Sequence, residues 1–132
     1  MQKQQGLRVL MVGGLDLVGP LRADGHEVQA VADGARALST ARAVVLDVVV
    51  VDLDLPDTDG FALARAIRAA TAGRKPMFIA LAGQGGEDSY RRCQEAGIDL
   101  HLVKPVQSEV LQGFLGRLQA VVQDIESFDP MI

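Results

Sequence analysis

The chain has 132 residues, the size of one domain able to bury a single core without staples. Hydrophobic residues make up 48% and aromatics 4%, so Val, Leu, Ile and Ala must build that core. The net charge of −4 argues against nucleic acid or an anionic membrane as a direct partner, and the single Cys93 excludes an internal disulfide. No apolar run approaches the roughly 18 residues of a membrane span, and "MQKQQGLRVL" lacks the apolar stretch of a signal peptide. A soluble, cytoplasmic domain is expected.

Short apolar runs alternate with helical patterns along the chain. "LRVLMV" (7–12) reads as a strand ending at Gly13-Gly14, and "HEVQAVA" (26–32) as a second one, introduced by the turn Asp24-Gly25. Only about eleven residues separate Gly14 from that second strand, and Pro20 interrupts them. The first crossover helix is therefore expected to have a turn or two at most. "ARALSTARAVV" (35–45) has helical character. "DVVVVD" (47–52) is a continuous β-branched run, the mark of a strand covered on both faces.

"GFALARAIRAA" (60–70) repeats apolar residues at helical spacing, "PMFIALA" (76–82) is a fourth strand, and "EDSYRRCQEAG" (87–97) is a helix ended by Gly97. "DLHLV" (99–103) makes the fifth strand. From Ser108 the residues Val110, Leu111, Phe114, Leu115, Leu118, Val121 and Val122 sketch an amphipathic last helix. Strands alternating with helices predict a doubly wound parallel α/β sheet, with residues 1–125 as the domain and 126–132 as a tail.

"VVVVDLDLPDTDG" (48–60) then crowds Asp52, Asp54, Asp57 and Asp59 at the tip of the third strand. In open parallel sheets, ligands sit beyond the carboxyl ends of the strands. Asp57 and Asp59 suit turn and cap chemistry, with Asp59 capping the next helix. Asp52 is different, because it ends a buried run. Lys104, in "HLVKP", follows the fifth strand in a chain with three lysines against ten arginines. A compact, flexible ammonium at that position suits an ion pair with Asp52, or with a phosphoryl group carried on it.

The segments "VVVVDLDLPDTDG", "PMFIALAG" and "AGIDLHLVKPV" together resemble the signature of two-component receiver domains, the phospho-accepting modules of response regulators and hybrid histidine kinases. The match runs from about Leu7 to Leu118, and the third segment is similar in particular to hybrid-kinase receivers. The resemblance implies a receiver-like (βα)5 fold with sheet order 2-1-3-4-5 and a regulatory rather than enzymatic role. It implies Asp52 as phosphoacceptor, Lys104 as the phosphoryl contact, and the backbone carbonyl of Asp54 as a Mg2+ ligand. It also implies a histidine kinase or phosphotransfer protein as partner, with the fifth strand and last helix as a homodimer surface.

Four family positions depart from the pattern. Gly13 and Gly14 stand where the family carries two metal-binding acids, Ala82 where it has the switch Thr or Ser, and His101 where it has the switch aromatic. Asp52 supplies one carboxylate for Mg2+, and the side chain of Asp54 or Asp16 would have to supply another, so metal binding is expected to be weakened. Without acids at 13 and 14, a standing Asp52–Lys104 pair is expected even with no phosphate or metal bound. Restoring Asp at 13 and 14 with Thr at 82 is expected to recover Mg2+ binding.

Two readings stand side by side: a receiver phosphorylated weakly on Asp52, and a pseudo-receiver that engages a partner without phosphorylation. A remote third is suggested by "DLDLP", which echoes the Asp-x-Asp start of haloacid-dehalogenase-type phosphatases. That class wants Thr or Val where Pro56 stands, and a later acidic pair.

Overall fold

The computed structural model describes residues 6–56, 58–83 and 86–127, with side chains described as far as Val122 in the last helix. Five strands, β1 (Arg8–Val12), β2 (Glu27–Val31), β3 (Val48–Asp52), β4 (Met77–Ala82) and β5 (Leu100–Val103), form one parallel sheet in the order β2-β1-β3-β4-β5. Between them lie α1 (Val18–Ala23), α2 (Gly34–Ala43), α3 (Gly60–Ala70) and α4 (Glu87–Ala96), and α5 (Ser108–Ser127) closes the domain. The predicted doubly wound fold and its order are both present.

The unbroken apolar strands follow from burial on two faces. Successive side chains of a strand point to opposite sides. Leu10, Val12, Val49, Val51, Phe78 and Ala80 accordingly pack with Ala37, Ala41, Leu63, Ala64, Ile67 and Cys93 of α2, α3 and α4. Val9, Met11, Val48, Val50, Ile79 and Leu81 pack with Val18 and Leu21 of α1 and with Leu111 and Leu115 of α5. A one-residue slip in any strand would exchange these two cores, so register is strongly specified.

The caps are local. Asp33 accepts a hydrogen bond from Arg36 N at 2.8 Å to start α2, and Asp59 accepts from Phe61 N and Ala62 N to start α3, as predicted. Gly97, at φ 80°, ends α4 in the left-handed conformation that glycine adopts without strain. The first crossover is short: a 3-10 turn over Leu15–Leu17 leads into the six residues of α1. Gln112 of α5 reaches across to Asp24 Oδ2 (3.0 Å) and ties the last helix to the end of α1.

Two expectations need correction. Helix α2 stops at Ala43 rather than Val45, because Val44 turns extended (φ −129°, ψ 141°) toward the strand that follows. Val110 and Val121 are not part of the buried stripe of α5: they are 52% and 54% exposed, while Leu111 and Leu115 carry the burial. Asp57 lies outside the described residues.

Candidate functional site

The sheet order places a change of winding direction between β1 and β3, and the carboxyl ends of strands beside such a point form a crevice. Gly13, Asp52, Ala82 and Lys104 all stand at that rim, at or just past the ends of β1, β3, β4 and β5. Asp52, the last residue of β3, is 9% exposed. Lys104 is fixed by its own backbone, its N–H donating to Ala82 O at 2.7 Å.

From there the side chain reaches past the tip of β4 to Asp52, its Nζ donating to Oδ1 at 2.7 Å. The same Asp52 Oδ1 accepts the backbone N–H of Asp54 at 2.9 Å. The standing pair expected between residues 52 and 104 is therefore present.

Asp54 completes the cluster, by a route the sequence did not suggest. Its Oδ2 lies 3.3 Å from Lys104 Nζ and accepts the backbone N–H of Gly83 at 2.6 Å. Asp54 thus enters the cluster through both its N–H and its carboxylate. The only available signal was indirect: an acid two positions after Asp52 and a glycine directly after Ala82. Partial burial pulls the Lys104 ammonium toward deprotonation, but hydrogen bonds and the negative charges of Asp52 and Asp54 outweigh it. The pKa ends above the ordinary lysine value.

The β1 side of the rim is built differently. Gly13 (φ 80°) and Gly14 (φ 59°) both lie in the left-handed region. A Cβ on Gly13 would fall 2.8 Å from Asp52 Cβ and 3.1 Å from Leu55 Cδ2, and one on Gly14 would fall 3.0 Å from Leu81 Cδ1. Asp16 sits exposed in the 3-10 turn. Ala82 is buried, and His101, on β5, is half-buried with Nε2 at 3.4 Å from Ser89 Oγ of α4.

As folded, these residues make a poor site for Mg2+. The convergent carboxylate oxygens of Asp52 and Asp54 already share an ammonium, and positions 13 and 14 bring no ligands. Among the described residues no group of three or more His, Cys, Asp or Glu is placed to hold a metal ion.

Comparisons with known proteins agree with this geometry. The sequence model of the response regulator receiver domain matches residues 16–115. The gliding motility regulatory protein of Myxococcus xanthus is 33% identical over 118 residues, covering 85% of this chain and 15% of that protein. The virulence sensor protein BvgS of Bordetella pertussis is 36% identical over 93 residues, 67% of this chain and 8% of that one. The chain therefore spans only a small fraction of these curated relatives.

Among solved structures, the receiver domain of sensor histidine kinase PA1611 from Pseudomonas aeruginosa PAO1 superposes with a TM-score of 0.75 at 32% identity. The match covers 87% of this chain and 98% of that one, whose structure has a magnesium ion coordinated in its active site cleft. No described helix is long and apolar enough to cross a membrane. From the matched span, the five-stranded topology and the two paired residues at its rim, this chain belongs to the response regulator receiver domain family of two-component signalling.

Proposed function

We propose that this chain is an atypical receiver in which Asp52 is the phosphoacceptor and Lys104 the phosphoryl contact, and in which an internal ion pair takes the place of a tightly held metal. The observation that carries this is the 2.7 Å bond from Lys104 Nζ to Asp52 Oδ1, formed between residues 52 positions apart. Such a long-range charged contact at a strand-end crevice is where phosphoryl chemistry needs its positive charge.

In the reaction, a carboxylate oxygen of Asp52 attacks the phosphorus of a phosphohistidine on a histidine kinase or phosphotransfer protein. An O–P bond forms and the P–N bond breaks, its electron pair returning to the imidazole. The acyl phosphate then carries its charge beside Lys104. Ala82 offers no hydroxyl to it, a missing hydrogen bond to a charged group worth about 1.5–3 kcal/mol. Asp52 and Asp54 would be the residues to hold a Mg2+ ion, which would supply further positive charge to the phosphoryl oxygens, and both already pair with Lys104. The setting is cytoplasmic, within a hybrid kinase or a regulator, and the exposed Val103 and Val110 on β5 and α5 suit a homodimer.

Intact-mass measurement after incubation with acetyl phosphate or a partner kinase, with and without Mg2+, tests this reading. A gain of one phosphoryl group that Asp52→Asn abolishes is the expected result. No gain under any condition leaves the second reading, a phosphorylation-independent interaction module. The left-handed backbone at Gly13 and Gly14 favours that reading, since it builds the two missing acid positions into the fold.

A further inference from the structure

We propose that the Asp54 carboxylate is a built-in anion: it occupies the hydrogen-bond donors that a phosphoryl group on Asp52 would use, and so raises the threshold for phosphorylation. This rests on the reading of Asp52 as the phosphoacceptor, and assigns Asp54 a competing role in place of a metal-binding one.

Three donors converge on the rim: Lys104 Nζ, the N–H of Gly83 and the N–H of Asp54. The third is taken by Asp52 Oδ1 at 2.9 Å. Asp54 Oδ2 takes the Gly83 N–H at 2.6 Å and lies 3.3 Å from Lys104 Nζ, which in turn is 2.7 Å from Asp52 Oδ1. An oxygen within reach of both a strand-end amide and the ammonium already paired with Asp52 is where a phosphoryl oxygen on Asp52 belongs. In this chain that oxygen comes from Asp54.

A phosphoryl group adds between about one and a half and two negative charges. Arriving on Asp52, it must expel the Asp54 carboxylate or forgo two of its donors, because like charges at such distances repel.

The residues around the contact fit the role. Gly83 carries no side chain, and a Cβ there would lie 2.9 Å from Asp54 Oδ2, so glycine is what lets the carboxylate close over the amide. The Asp54 side chain is 49% exposed, which lets it swing out to water when displaced. The contact also joins the turn after β3 to the segment after β4, so the chain supplies its own negative charge at the junction where phosphorylation would otherwise supply it.

The test uses the full chain, 15N-labelled, with beryllofluoride in Mg2+ buffer as the phosphoryl probe, in Asp54→Ala, Gly83→Ala and the unmodified protein. Removing one charge-assisted competitor should tighten beryllofluoride binding about tenfold in Asp54→Ala. Gly83→Ala should shift affinity in the same direction, and Asp52→Asn should abolish the gain. The Gly83 amide resonance should move in Asp54→Ala as its 2.6 Å hydrogen bond is lost. If both variants bind no more tightly than an unmodified chain whose binding depends on Asp52, the competing role is wrong while the phosphoacceptor reading survives. If no variant binds at all, both fall together.

Discussion

The two halves of the rim have taken opposite courses. At the ends of β3 and β5 the charges are kept and satisfy one another, with Asp52, Asp54 and Lys104 joined by contacts of 2.7 and 3.3 Å. At the end of β1 the chain carries no charge, and its two glycines turn through the left-handed region against Asp52, Leu55 and Leu81. With no acids at positions 13 and 14, only Asp54 stands beside Asp52, and one ammonium shared by the two makes the burial tolerable without a divalent ion. Losing the acid pair and holding a standing ion pair are therefore two sides of one electrostatic adjustment.

The largest effect is expected on the glycine half. Gly13→Asp puts a Cβ 2.8 Å from Asp52 Cβ, at φ 80°. Backbone strain of about 1–3 kcal/mol and overpacking of about 1–3 kcal/mol add to roughly 2–6 kcal/mol, a large share of a domain's stability. Gly14→Asp should cost less, since its φ of 59° lies near the centre of the left-handed region and the nearest atom, Leu81 Cδ1, ends a flexible side chain. Urea unfolding of the two variants measures the difference. The expectation that Asp at 13 and 14 with Thr at 82 recovers Mg2+ binding is checked on the same variants, combined with Ala82→Thr, by Mg2+ titration. A Gly13→Asp chain as stable as its parent and binding Mg2+ would show the two halves to be independent.

What the sequence revealed and what it hid divide along physical lines. The sheet was legible because strands buried on both faces read as continuous apolar runs, and Asp52 and Lys104 because each follows such a run directly. The shortened α1 was legible from chain length, with Pro20 in the middle. Gly13 and Gly14 could be seen as absent acids, but their positive φ could not, since it depends on how the chain enters the 3-10 turn. The Asp54–Gly83 contact was hidden because one partner is a backbone N–H, whose direction no residue pattern encodes. Val110 and Val121 misled because helical spacing marks a stripe without marking its edges.

A smaller effect belongs to the charged half. Lys104→Met leaves Asp52 and Asp54 close together with no counter-charge. Breaking a fully buried pair costs about 3–5 kcal/mol and exposed pairs contribute about 0–1 kcal/mol. With the lysine side chain 34% exposed and that of Asp52 12%, about 1–2 kcal/mol is the expected loss. A double-mutant cycle with Asp52→Asn isolates the pair. The Lys104 pKa is raised on folding, so this contribution is fully present below the ordinary lysine value of 10.5 and is lost only as pH rises through the higher folded value. The coupling should thus be flat across neutral pH, and a coupling near zero would mean that the pair sits at the rim without holding it.

The smallest effect lies at the opposite end of the sheet and separates acid sensitivity of the fold from that of the site. His26, 5% exposed at the start of β2, accepts the N–H of Leu7 on Nδ1 at 3.0 Å, which requires the neutral ring with its proton on Nε2. Burial lowers its pKa below the ordinary 6.5, against the opposing charge of Asp24. A folded pKa below the unfolded one means that the contribution is complete above the unfolded value and is lost as pH falls through the folded one. Protonation also turns the acceptor of Leu7 N–H into a donor, a lost hydrogen bond of about 1 kcal/mol. Unfolding free energy measured from neutral pH downward should fall below the ordinary histidine range, and His26→Gln should flatten that part of the curve. If the curve keeps its shape in His26→Gln, the acid sensitivity belongs to the carboxylates at the rim instead.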